Sequence, residues 1–188
     1  NSDLAYWALN LRDPETLEAV SSEINDETAP SWSIITSHFP QLGKRKAVKV
    51  IWYDGGKKPD PALARQKELP GNGSILIGSK DSLYIPMYWG KGTLLSGATV
   101  ADHKDVPETI EKPADFNRHH YLEWIDACKG GKPAWSNFNY AGPMTEAMLL
   151  GLVALRSGKK IEWDAKKMRV KNVPEANRFI HSEYRKGW

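Results

Sequence analysis

His119-His120-Tyr121-Leu122-Glu123-Trp124-Ile125-Asp126-Ala127-Cys128-Lys129-Gly130-Gly131-Lys132-Pro133, followed by Pro143-Met144-Thr145-Glu146-Ala147-Met148-Leu149-Leu150-Gly151-Leu152-Val153-Ala154-Leu155-Arg156-Ser157-Gly158, decides the architecture of this chain. In the first segment Tyr121, Trp124, Ile125 and Cys128 recur at i, i+3, i+4, i+7, which lines one face of a helix predicted over 115–129. Gly130-Gly131 ends it and Pro133 prevents its continuation. The second segment is apolar almost all round. A helix is predicted from near Pro143, where a first-turn proline loses no hydrogen bond, to Arg156-Ser157-Gly158, a cation followed by a glycine. Such a helix is expected at the centre of the fold, covered on most sides. Gly151 in its middle costs ~1 kcal/mol against alanine, so a neighbour is expected to pack closely there.

Working outward, the first half reads as a helix and then strands. Asp3 is a suitable N-cap for a helix through Leu9. Alternation predicts strands over 16–24, 31–39 and 47–53. Within the first, Leu17, Ala19 and Ser21 share a side; in the second, Trp32, Ile34, Thr36 and His38 oppose Ile35, Ser37 and Phe39; in the third, Val48, Val50 and Trp52 oppose Ala47, Lys49, Ile51 and Tyr53. A loop rich in Gly, Pro and Lys follows from Asp54 to Gly73. Short strands are predicted at 74–78, 82–86 and 93–95, a linker between Pro107 and Pro113, a strand at 161–163 and a last helix over 174–184. The fold class expected is α+β, a mostly antiparallel open β-sheet with helices packed on one face, in a single domain over 1–188. The chain opens at Asn1 and enters helix at once, so it is expected to be a domain excised from a longer protein.

At 188 residues such a domain buries roughly 70% of its unfolded surface. Hydrophobic residues at 40% and charged ones at 26% are ordinary for a globular protein. No apolar run reaches the ~18 residues of a membrane span, since Glu146 and Gly151 interrupt the longest one; no membrane partner is expected. Cys128 alone excludes an internal disulfide, and its place on the apolar stripe predicts packing rather than nucleophilic chemistry. A net charge of +3 is too small to argue for nucleic acid. The clusters Lys44-Arg45-Lys46, Lys57-Lys58 and Lys166-Lys167-Met168-Arg169 flank turns and read as solvated loops. The 8 tryptophans suit core packing first and sugar platforms second.

Candidate chemistry is sparse. Gly71-Asn72-Gly73 lacks the third glycine of a phosphate loop and does not join a strand to a helix, so no nucleotide cofactor is expected on this chain itself. His119, His120 and Glu123 could form a metal face, but adjacent histidines point about 100° apart on a helix, which disfavours a shared ion. His120 is kept for proton transfer or contact with a sugar hydroxyl. Trp52-Tyr53-Asp54-Gly55-Gly56 combines flat aromatic surface with a carboxylate, as a polyol ligand would need, although a packed strand ending in a turn explains it as well. Asp102-His103-Lys104-Asp105 reads as a solvated loop. No serine stands in a nucleophile elbow, and no carboxylate pair demands glycosidase chemistry.

Several ordered blocks together resemble the bacterial-type C-terminal domain of the Gfo/Idh/MocA oxidoreductase family. They are Trp52 to Gly56, Asn117 to Gly131, Ser136-Asn137-Phe138, Ala141 to Ala147, Leu149-Leu150-Gly151, Pro174-Glu175-Ala176-Asn177, and Glu183-Tyr184-Arg185 to Trp188, so the resemblance covers essentially the whole chain. It implies a two-domain enzyme that uses NAD or NADP, held on an N-terminal Rossmann domain, to oxidise or reduce sugar and polyol hydroxyls. The C-terminal domain would supply an open sheet, substrate contacts and an oligomer interface. The family's catalytic lysine stands in a Glu-Lys-Pro motif of the missing domain, so Glu111-Lys112-Pro113, in the linker here, is taken as coincidence. Asp3 to Leu9 resembles the Asp-Leu-x-x-Trp-Ala-Leu tail that follows the family's Asp and His pair, which would place that histidine just before Asn1. No catalytic residue is then expected here. His120, Trp52, Asp54 and Tyr6 are the expected substrate wall, with a sugar or polyol, the Rossmann domain and further copies of the chain as partners. The rival expectation is a freestanding carbohydrate-binding or protein-interaction module, and a third is a metal-dependent hydrolase using His119 or His120. The compartment, cytoplasm or periplasm, stays open.

Overall fold

A computed structural model describes residues 1–86, 92–98, 102–103, 105–107, 109, 115, 117–181 and 184–187. In chain order the elements are helix α1 (Asp3–Leu9), strands β1 (Thr16–Ser21), β2 (Ser33–Phe39) and β3 (Val48–Asp54), a 3₁₀ turn (Pro61–Ala64), and strands β4 (Gly73–Ile77), β5 (Ser82–Pro86) and β6 (Thr93–Leu94). Helices α2 (His119–Cys128) and α3 (Phe138–Ser157), strands β7 (Ile161–Asp164) and β8 (Arg169–Val170), and a 3₁₀ segment (Pro174–Phe179) follow. The class is α+β with open antiparallel sheets.

Five strands pair in the order β3-β2-β1-β7-β8, every neighbour antiparallel. The register sets Leu17 opposite Ser37 and Ser37 opposite Val50, then Ala19, Ile35 and Trp52 in the next row of the same face. Because strand side chains alternate, this row pattern joins one of the two alternating sets of each strand into a common face of β1 to β3. The long helix α3 packs on it. A Cβ added at Gly151 would lie 2.9 Å from Ile35 Cγ2, so the glycine marks the expected close approach.

The main core joins Leu17, Ile161, Trp163 and Val170 of the sheet to Leu150, Val153 and Ala154 of α3, and closes with Val173 and Ala176. Trp163 Nε1 donates to Glu146 Oε1 at 2.7 Å, which satisfies a buried indole. Asn177 holds β8 in place: its side-chain oxygen accepts from Val170 N at 2.8 Å and its amide donates to Val170 O at 3.0 Å. A second cluster, Tyr6, Leu11, Phe39 and Ala147, fastens α1 to β2 and α3.

Several expectations are corrected. The short strands form a separate sheet, β4-β5-β6, over a small cluster of Ala64, Leu69 and Tyr84. β1 stops at Ser21 rather than residue 24, because Asn25 Oδ1 accepts from Glu27 N and Thr28 N and turns the chain. α3 begins at Phe138, five residues before Pro143, because Asn137 caps it by accepting from Asn139 N. Pro143 therefore lies inside the helix. Ser2, not Asp3, occupies the N-cap position of α1 and makes no side-chain cap. The final segment is 3₁₀ and ends at Phe179.

The two signature helices are also less covered than expected. α3 buries one face, while Met148, Leu149 and Leu152 on the other are 43%, 54% and 51% exposed. α2 buries no residue at all, and Cys128 is exposed rather than packed.

Candidate functional site

α1 ends in a sharp reversal. Asn10 takes the left-handed conformation at φ 44°, a role asparagine fills more readily than most residues. Leu11 N then donates to Tyr6 O at 3.0 Å, and Asn10 to Arg12 are turned toward the first turn of α3. Between them lies a cleft of about 220 Å³. One side is Tyr6, Asn10, Leu11 and Arg12; the other is Asn137, Asn139, Tyr140 and Pro143.

Tyr140 is the fixed point of this cleft. Its hydroxyl lies 2.7 Å from Asp3 Oδ1 and 3.0 Å from Asp3 O, so it donates its proton to Asp3. Burial and the adjacent Asp3 carboxylate push its pKa above the ordinary phenol value. The ring is braced by Trp7 at 5.0 Å between centroids, and Trp7 in turn by Trp135 at 5.0 Å. Tyr6 is held edge-on to Phe39 at 5.8 Å, and burial lifts its phenol to about 12.

The remaining polar lining divides in two. Asn137 is occupied at both ends, accepting from Asn139 N and donating to Ala134 O at 2.8 Å. The side chains of Asn10, Arg12 and Asn139 make no hydrogen bond among the described residues. Arg12 Nε stands 3.9 Å from Asp13 Oδ2, a loose ion pair.

Of the residues singled out from sequence, Tyr6 alone lines this cleft. Trp52 and Asp54 share one face of β3 two residues apart. Asp54 Oδ1 accepts from Gly55 N at 2.8 Å and shapes the turn. Gly55 has φ 65°, and a Cβ there would sit 2.0 Å from Ser31 O, so this turn requires glycine. His120 lies exposed on α2, its ring 3.8 Å from that of Tyr121. No hydrogen bond, ion pair or ring contact among the described residues joins any of these four to another. It is His119, not His120, that meets Glu123, at 3.4 Å. Among the described residues no three His, Cys, Asp or Glu side chains gather to hold a metal ion. Glu111-Lys112-Pro113 lies outside the described residues.

Sequence reasoning passed over Asn10, Arg12, Asn139 and Tyr140. Two local signals were present: an asparagine directly after a helical run, and Ser136-Asn137 ahead of another. Neither says that the two helix ends meet, since Tyr140 and Asp3 are 137 residues apart. Compared with known proteins, the chain matches no family model and no curated sequence.

Proposed function

We propose that this chain is the substrate-binding and oligomerisation domain of an NAD(P)-dependent sugar or polyol oxidoreductase of the Gfo/Idh/MocA type. NAD or NADP would sit on a Rossmann domain of the parent protein. Bound there, the nicotinamide would supply a hydride acceptor for a substrate carbinol, and this chain's own part would be to bind and orient that substrate. This chain would wall the substrate with Tyr6, Trp52, Asp54 and His120. It would meet further copies through the sheet face opposite α3, where Val20, Ile34 and Tyr53 lie in one row.

The observation that supports this reading is that several of the ordered motifs behind the resemblance fall within one sheet-and-helix unit. Trp52 to Gly56 ends β3, Asn137 caps α3, Gly151 seats α3 on Ile35, and Asn177 clamps β8. The test is to read the gene upstream of Asn1 and assay the whole product with NAD, NADP and a panel of sugars. A Gly-x-Gly-x-x-Gly strand–helix unit with sugar-dependent nucleotide reduction is expected. A start codon beside Asn1, or nucleotide turnover by residues 1–188 alone, would overturn the proposal.

A further inference from the structure

We infer that Asn72 is a self-modifying site: the Gly73 backbone nitrogen and then water convert its side-chain amide to a carboxylate, with the side chain of Asn1 assisting. The inference does not depend on the oxidoreductase reading.

Three groups must meet for this chemistry, and each is in place. The first is an unhindered nucleophile. Asn72-Gly73 is the one place in the sequence where glycine follows asparagine. Every other asparagine precedes a residue whose side chain crowds the nitrogen. Gly73 pairs with Pro86 at the start of β4. Antiparallel pairs alternate between bonded and non-bonded, and Gly78 N donates to Asp81 O at 3.0 Å, so the bonded pairs are Leu76 with Leu83 and Ser74 with Ile85. The Gly73 N–H is thus outside the ladder and faces the outer side of β4. That strand ends the order β4-β5-β6, and no strand among the described residues pairs with it there.

The second group is the electrophile. Asn72 is exposed on a bend just ahead of the strand, within reach of solvent base. The third is a polarising donor. Asn1 Nδ2 donates to Asn72 Oδ1 at 2.9 Å, on the oxygen where negative charge gathers when Cγ is attacked. Asn1 is itself anchored, because Ser74 Oγ donates to its carbonyl oxygen at 2.6 Å.

The bonds balance without an oxidant or reductant. Solvent base removes the Gly73 amide proton, the nitrogen bonds to Asn72 Cγ, and the Cγ–Nδ2 bond breaks. Nδ2 takes a proton from water and leaves as ammonia. Water then opens the five-membered imide: one C–N bond breaks, the nitrogen regains a proton, and a carboxylate and a proton are left. Opening at Cγ gives aspartate. Opening at the backbone carbonyl gives isoaspartate, whose main chain is one carbon longer just before β4. Either product carries a negative charge beside Asn1, and the second also displaces Ser74 from its bond to Asn1.

The experiment compares chain 1–188, its Asn1→Ala variant and the synthetic peptide 68–80 in mildly alkaline oxygen-18 water. Samples are then digested with trypsin in ordinary water and read by mass spectrometry. The Asn1→Ala variant loses the polarising amide but keeps the backbone oxygen that Ser74 holds. Labelled oxygen is expected at Asn72, with part of the product accepted by an isoaspartyl methyltransferase. It should accumulate faster in the folded chain than in the peptide, and about three- to tenfold more slowly in Asn1→Ala than in the parent chain. No label at Asn72, a folded chain no faster than the peptide, or an unchanged rate in Asn1→Ala overturns the inference.

Discussion

In α2, Tyr121, Trp124, Ile125 and Cys128 recur at the spacing of one helical face, and none of its residues is buried. In α3, Ala147, Leu150, Gly151 and Ala154 recur at the same spacing and are buried, with β1 and β2 beneath the helix. The periodicity is equal; the sizes differ. Ala147, Gly151 and Ala154 let the α3 backbone settle on the sheet, where dispersion contacts are dense. The α2 stripe carries two large rings, Tyr121 and Trp124, which would hold its backbone farther from a flat neighbour. Spacing tells which residues share a direction, while side-chain volume decides how closely that direction can meet a sheet.

The largest expected effect tests the buried half of this contrast. Leu17 lies fully buried beneath α3, and Leu17→Ala should cost about 2–5 kcal/mol in urea unfolding through lost burial and a residual cavity. Next is Gly151→Ala. The added methyl meets the stiff, branched Ile35 side chain, so overpacking of about 1–3 kcal/mol should outweigh the ~1 kcal/mol of helix propensity gained. A net gain in stability would show that α3 is free to lift from the sheet.

A smaller effect, on the order of 1 kcal/mol, should appear at high pH. An unfolded tyrosine ionises near 10.0, whereas Tyr6 in the fold keeps its proton to about 12, and Tyr140 shifts in the same direction. The unfolded chain therefore releases protons first. Stability is full below pH 10 and falls between 10 and 12, as read from the urea midpoint at stepped pH, and Tyr6→Phe should flatten that slope. The smallest effect belongs to α2. Trp124→Ser should change stability by no more than about 0.5 kcal/mol, since the ring is exposed and its loss opens no cavity. A loss as large as that of Leu17→Ala would mean the stripe is covered in solution and would break the comparison.

Much of the first sheet was legible because alternation marks the two sides of each strand. Leu17 with Ala19, Ile35 with Ser37, and Val48 with Val50 were each placed on one side of their own strand; the pairing then joined these sets into one face, and Gly151 announced a close neighbour. Other elements were not. β8 is two residues long, and its position depends on the side chain of Asn177, not on propensity. Pro143 imitates a helix start, while the actual start is set by the side chain of Asn137. That β4 to β6 pair among themselves rather than extend the larger sheet is a matter of long-range pairing, on which alternation is silent. The cleft was hidden for the same reason: each half has a local signal, and only the fold brings Asn10 to Asn139.

The strand β3 carries a consequence for the behaviour of many copies at once. It stands at the end of the five-stranded order, and among the described residues no strand pairs with its outer side. Seven residues, Val-Lys-Val-Ile-Trp-Tyr-Asp, are rich in branched and aromatic side chains, with Lys49 and Asp54 their charges. Such an edge is a template on which another chain can polymerise. The ammonium of Lys49, at the second position, works as a spacer between molecules. Concentration, ionic strength and acetylation of that one amine should govern how long a solution of this protein stays clear.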